Sequence, residues 1–312
     1  MDAGRIVEMI HPPKLSLPDE MPLLQEAYIR VFRECSYSEP IRDNTFRPDN
    51  WLINFPFNCW HNDSSQPLET YQTLALVNAL YFTFILREDT VIDDYHLPRD
   101  EFQPHILDYC QARVLREAAM KHLFDLCGSE VAAFILRYEQ MYYNALIWEK
   151  TLRSEDVSFE AMASREHCEQ LGRKVMPLCL SFAAFCLLTG NTGSIAECEE
   201  LIINYHTAHQ LFDDMADLLS DAEKPDASYL LRALAHHGIE KTSLRADNAK
   251  QVLLESGVAA QAVLVAERCL RVAREKAELL NFVYMLGQIE CLERKIASAY
   301  ALLHAEGQEV SS

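Results

Sequence analysis

Glycine is scarce in this chain, with nine in 312 residues. No glycine-rich turn follows a candidate strand, so a Rossmann or P-loop phosphate cradle has nowhere to form. The short alternating runs of a sandwich or barrel are missing as well. Cations are in deficit: 28 Lys+Arg face 47 Asp+Glu, a formal charge of −19. That imbalance argues against nucleic acid or an anionic membrane as a general partner. The ten cysteines include no CxxC pair, so they read as small buried hydrophobes in a reducing compartment rather than as a zinc site. The longest apolar run, around Leu74 to Leu86, is broken by Asn78 and Thr83 and is too short to span a bilayer. Met1 to Pro13 carries Asp2, Arg5 and Glu8 and lacks the apolar stretch of a signal peptide. The expectation is a cytoplasmic protein without a transmembrane segment.

With 49% hydrophobic and 24% charged residues, the chain has the composition of an ordinary globular protein able to bury a large core. Its periodicity is helical almost throughout. Helices are expected over Pro22 to Cys35, Leu68 to Asp94 and Asp100 to Leu126, the last stopped by Gly128. Ser129 would cap a helix to about Arg153, and Ser158 one over Phe159 to Leu188 that ends at Gly190. Ser194 and Glu197 form a capping box for a helix to Asp221. A short helix over Ser228 to Ala235 precedes one or two more from Asn248 to His304, interrupted near Gly257. Ser36 to Pro67, with Trp51, Phe55, Phe57 and Trp60, is an irregular connection suited to covering a cavity mouth. No repeat or Gly/Ser linker divides the chain. The organisation is an N-terminal extension (1–20), one helical domain (21–305) and a polar tail (306–312). Two helices are apolar on more than one side, which suggests a bundle around a central apolar cavity.

The placement of the carboxylates is the most informative feature. The first apolar helix ends in Glu88-Asp89-Thr90-Val91-Ile92-Asp93-Asp94, and a later one reads Phe212-Asp213-Asp214-Met215-Ala216-Asp217, with Asp221 one turn on. At helical spacing Asp89 and Asp93 share a face, and so do Asp213, Asp217 and Asp221. Like charges so placed destabilise an isolated helix, and the face of Asp89 and Asp93 continues into Ile85, Phe82 and Tyr81. Such carboxylates at an apolar mouth suit hard cations. Mg²⁺ takes oxygen ligands and is commonly shared with phosphate oxygens, which points to a substrate with a diphosphate and an apolar body.

On these residues the chain resembles the class I isoprenoid synthases: trans-prenyltransferases, squalene and phytoene synthases, and class I terpene cyclases. The Asp89, Asp93, Asp94 group and the Gln210 to Asp217 segment are similar to that family's two aspartate-rich motifs. Gly172-Arg173-Lys174 stands where the family places a diphosphate-binding basic residue, and Lys224 where it often has a diphosphate-contacting lysine. The resemblance covers roughly residues 70 to 235. It implies an all-α single-domain bundle, a prenyl diphosphate substrate and three Mg²⁺ ions held by Asp89, Asp93, Asp94, Asp213, Asp214, Asp217 and Asp221. It further implies diphosphate contacts from Arg173, Lys174 and Lys224, and a homodimer, as family members often form. Asp89, Asp93, Asp213 and Asp217 are the acids expected to be catalytic. Tyr81, Phe82, Phe84, Tyr142, Tyr143 and Trp148 are candidates for a cavity wall that steadies a carbocation, each with plain core packing as the competing role.

The departures from the family pattern select within it. Leu97 stands where a full DDxxD motif would have an acid, leaving Asp89 and Asp93 in the DxxxD spacing of squalene and phytoene synthases. No basic segment precedes the first motif, and only Arg99 follows it, so the groups that hold a second, homoallylic diphosphate are missing. A terpene synthase that ionises and cyclises one allylic diphosphate is therefore favoured over a prenyltransferase joining two substrates, head-to-head coupling included. Two other classes compete. His206, His209 and Asp213, with Asp93 and His96, have spacings that a helical dimetal oxidase or phosphohydrolase could use. A non-catalytic helical interaction protein would leave the acids facing water.

Overall fold

The computed structural model describes residues 55, 56, 58, 59, 65–93, 98–224, 228–245 and 248–305. Among them the secondary structure is helical and no strand occurs. The expected helix over Pro22 to Cys35, the residues Trp51, Phe57, Trp60, Asp94, His96 and Leu97, and the polar tail lie outside the described residues.

Helix α1 (Leu68–Asp93) packs along α2 (Arg99–Cys127), and α3 (Ala132–Thr151) crosses the segment that leads into the core. Then follow α4 (Phe159–Met162), α5 (Arg165–Gly172), a 3₁₀ stretch (Arg173–Cys179) and α6 (Leu180–Thr189). Helix α7 (Ile195–Ala216) and the short α8 (Leu218–Glu223) carry the second acidic group. The chain closes with α9 (Tyr229–His236), α10 (Ala249–Glu255), α11 (Val258–Leu279) and α12 (Val283–Ala305). Helix α11 lies along α7 and also packs against α12.

Leu74, Val77, Leu80, Leu115, Leu123, Ile202, Leu230, Leu270 and Ile289 are fully or almost fully buried, consistent with a single apolar core collecting all the long helices. Phe55 belongs to that core. Its ring meets Phe282 and Phe182 edge-on at 5.5 and 6.4 Å, and the neighbouring Asn58 accepts a 3.1 Å hydrogen bond from the Met285 amide. Phe55 is thus committed to the interior rather than to a cover.

The sequence pattern locates α1 to within a residue, and Ser158 caps α4 by accepting from the Ala161 amide at 3.2 Å. The single helix expected over Phe159 to Leu188 is three α-helices and a 3₁₀ stretch. Ser164 starts a new helix by accepting from the His167 amide. Pro177, which has no amide hydrogen to donate, falls in the 3₁₀ stretch. Ser129 lies in a 3₁₀ turn and caps nothing; Ser194 makes no cap hydrogen bond, its backbone being already helical (φ −84°, ψ −5°) and its hydroxyl turned to Asn191, and Glu197 pairs with Lys276. The helix expected to reach Asp221 ends at Ala216, with Asp217 as the joint to α8. Gly190 and Gly257 take positive φ (72° and 75°) where α6 ends and α11 begins, the left-handed backbone that glycine adopts without strain. A further break at Asn281 (φ 56°) separates α11 from α12.

One described stretch, Arg165–Thr189, is long and apolar enough by composition alone to cross a membrane. Of its most apolar window, 78% is buried inside the protein. Nine described cysteines are unpaired thiols, seven of them buried.

Candidate active site

The C-terminal ends of α1, α3 and α7 meet the 3₁₀ stretch at one end of the bundle. Glu88, Asp89 and Asp93 close α1; Glu149 and Lys150 close α3. Lys174 enters from the 3₁₀ stretch, His209, Gln210, Asp213 and Asp214 come from the last turns of α7, and Asp217, Asp221 and Lys224 from α8 and its flanks.

Lys174 joins the two acidic walls. Its side chain is only 15% exposed and its Nζ lies 2.9 Å from Glu149 Oε2. Burial by itself would lower its pKa, but the carboxylates of Glu149, Asp89 and Asp214 together carry it above the ordinary lysine value. Asp89 is the counterpart on α1. Burial raises its pKa, and so do Asp93 and Glu149, while Lys174 and Lys150 act against them. On α7, Asp214 is buried, and burial pushes its pKa to about 6 against hydrogen bonds from Gln210 Nε2 (2.8 Å) and the Leu230 amide (3.2 Å).

Toward solvent the pairing continues. Lys150 Nζ is 2.8 Å from Asp93 Oδ1, Lys224 Nζ is 2.8 Å from Asp221 Oδ1, and His209 Nδ1 is 2.7 Å from Asp213 Oδ2. The pKa of Lys224 is raised first by its hydrogen bond to Asp221 and further by Asp93 and Asp217, so this lysine also feels both walls. Burial raises the pKa of Asp217, helped by Asp213 and Asp221. Three lysines thus face seven carboxylates: Asp89, Asp93, Glu149, Asp213, Asp214, Asp217 and Asp221. The residual negative charge attracts further cations.

These donors suit Mg²⁺ in kind, being oxygen-only and hard. Among the described residues no three His, Cys, Asp or Glu side chains converge as a ready-made metal cluster. Asp89 and Asp93 on one wall and Asp213, Asp217 and Asp221 on the other are enough for the one or two carboxylates that each Mg²⁺ uses when water and substrate phosphates complete its shell. The His206 and His209 rings stack at 6.3 Å. Burial, aided by His209 and Lys174, holds the pKa of His206 well below its usual value, so that ring is neutral.

Of the adjacent cations, only Lys174 reaches the acids. In 3₁₀ geometry successive residues diverge by about 120°, and Arg173 turns to Glu169 (Nη2 to Oε2, 2.6 Å) with its buried Nε unpaired. The aromatic candidates divide in the same way. The Tyr81 hydroxyl donates to Glu139 at 3.1 Å, and Phe84 packs on Tyr109 beneath Arg116, both within the junction of α1, α2 and α3. The Tyr143 hydroxyl donates to buried Glu88 at 3.2 Å, with Tyr142 beside it. Phe82 shares the face of Asp89. Trp148 precedes Glu149 and packs its ring at 5.1 Å from His167 and 6.2 Å from Tyr229, next to the residue whose amide holds Asp214.

Glu149 and Lys150 are the site residues that motif reading passed over. An adjacent acid and base in the last turn of a helix is too common to mark a site, and their positions matter only once α3 is set against α1 and the 3₁₀ stretch.

The fold is that of the helical isoprenoid synthases. A crystal structure of octaprenyl pyrophosphate synthase from Helicobacter pylori superposes on 90% of this chain and on its own whole length, with a TM-score of 0.61 at 12% identity. No family model matches the sequence, and no curated protein matches it.

Proposed function

We propose that the chain is an isoprenoid synthase that ionises an allylic prenyl diphosphate with Mg²⁺, acting as a terpene synthase. The observation that carries this reading is Lys174, buried between the two acidic walls and coupled to Asp89, Glu149 and Asp214 at once. A diphosphate with metal ions is an anion able to satisfy that lysine and the surplus carboxylates together. Asp89 and Asp93 on one wall, with Asp213, Asp217 and Asp221 on the other, would hold Mg²⁺; Asp94 belongs to the same reading. When bound, Mg²⁺ supplies Lewis-acid charge to the diphosphate oxygens as the C–O bond breaks. Lys174 and Lys224 would donate to those oxygens and stabilise the leaving group. Phe82, which shares the face of Asp89, and Trp148, which precedes Glu149, are the aromatic side chains this reading sets against a cation.

The preference for cyclisation or rearrangement rests on the absence of a basic segment before α1 and of an arginine pair after it. A prenyltransferase is the second reading, favoured by the fold shared with a chain-elongating synthase. Incubation with C10, C15 and C20 allylic diphosphates and Mg²⁺, with and without isopentenyl diphosphate, separates the two. Hydrocarbon or alcohol products from a single substrate support the terpene synthase; products formed only with the second substrate support the prenyltransferase. The free thiols fit a cytoplasmic protein. Leu107, Val114, Leu136 and Ile147, exposed on α2 and α3, supply apolar area for a homodimer.

A further inference from the structure

The last turn of α3 presents two opposite charges in two directions. Glu149 reaches Lys174 in the 3₁₀ stretch, and Lys150, about 100° further round the helix, reaches α1. A lysine at a helix C-terminus already sits in a favourable field, so Lys150 does not depend on an acidic partner to be stable there. It nevertheless places its ammonium 2.8 Å from Asp93 Oδ1 and close enough to lower the pKa of Asp89. Asp89 and Asp93 are the like-charged pair one turn apart on α1. The ammonium therefore occupies Asp93, a carboxylate that a metal ion on this wall would take, and acts on Asp89 from further off.

The pair is also open to exchange. The Lys150 side chain is 27% exposed and that of Asp93 46%, and an ion pair so placed contributes about 1 kcal/mol at most. It is too weak to be needed for the fold. It offsets part of the repulsion between Asp89 and Asp93 while no metal is present.

We propose that Lys150 is a tethered counter-ion that competes with the divalent cation for Asp93, and so sets the metal concentration at which the first acidic wall is filled. This rests on the functional reading above. Lys150 must leave Asp93 before a metal ion can take that carboxylate, and its flexible four-carbon stem lets it do so without moving α3.

The test is Mn²⁺ binding by the full-length protein, followed by electron paramagnetic resonance and calorimetry, with and without inorganic diphosphate. Lys150→Met removes the charge and keeps the apolar stem, Lys150→Arg keeps the charge, and far-UV circular dichroism confirms that each variant folds. Lys150→Met is expected to bind Mn²⁺ about fivefold more tightly than wild type, the scale of an exposed ion pair, whereas Lys150→Arg stays close to wild type. Adding Asp93→Asn to Lys150→Met should erase the gain. Wild-type binding with equal or weaker binding by Lys150→Met overturns the counter-ion and leaves the enzyme reading standing. Absence of Mn²⁺ binding by wild type and variant alike, even with diphosphate, overturns both.

Discussion

Lys174 Nζ lies 2.9 Å from Glu149 Oε2, and this contact ties the end of α3 to the segment between the two acidic walls. A lysine buried here without a carboxylate would be an uncompensated charge. Glu149→Gln is therefore expected to destabilise the protein by about 3 kcal/mol in urea unfolding, the low end of the range for a broken buried pair because Asp89 and Asp214 remain near. Lys174→Met strands three carboxylates, Glu149, Asp89 and Asp214, without their cation, and should cost at least as much. A clearly smaller loss for Lys174→Met than for Glu149→Gln would count against the contact as a buried ion pair.

Asp214 makes stability depend on pH with a definite sign. Its native pKa is raised to about 6 from an ordinary 3.8, so between those values the native state holds a proton that the unfolded state has lost. Stability therefore falls as pH rises from about 4 to 6, and the loss is complete above the native pKa. Asp214→Asn carries no charge to desolvate and keeps the Leu230 bond through its carbonyl oxygen, and its NH₂ meets Gln210 once that side-chain amide turns to present Oε1. The variant should match wild type near pH 4 and exceed it by about 2 kcal/mol at pH 7 without metal. Denaturant titrations at the two pH values check this, and parallel curves for the two proteins would refute it.

Gly172 permits α5 to lie against α7. A β-carbon there would collide with the backbone carbonyl of Ile203, which has no flexible end to yield. Gly172→Ala should cost roughly 3 kcal/mol and displace Arg173 and Lys174, which follow directly. Thermal unfolding measures the first effect, and loss of the thermal shift given by Mg²⁺ with inorganic diphosphate measures the second.

Both acidic walls should be needed for that thermal shift. Wild type is expected to gain several degrees with Mg²⁺ and inorganic diphosphate together and little with either alone. Asp89→Asn and Asp213→Asn should each abolish most of the gain while leaving the apo melting temperature within about 2 °C of wild type, since both side chains are only half-buried. A full shift in either variant would detach that wall from the site.

The sequence by itself determined the helical class, the reach of α1 from Leu68, and the two acid groups, because these depend on local periodicity and on charges too close together to be accidental. It also set Arg173 and Lys174 side by side without showing which of them faces the site. Which of them does was decided by the tertiary structure. Pro177 and the approach of α5 to α7 at Gly172 help turn an expected continuous helix into a 3₁₀ stretch, and that rotation sends Lys174 inward and Arg173 to Glu169. Glu149 and Lys150 became site residues for the same reason. Electrostatic coupling falls with separation, and separation between residues 60 to 120 positions apart in the chain is fixed only when the helices pack.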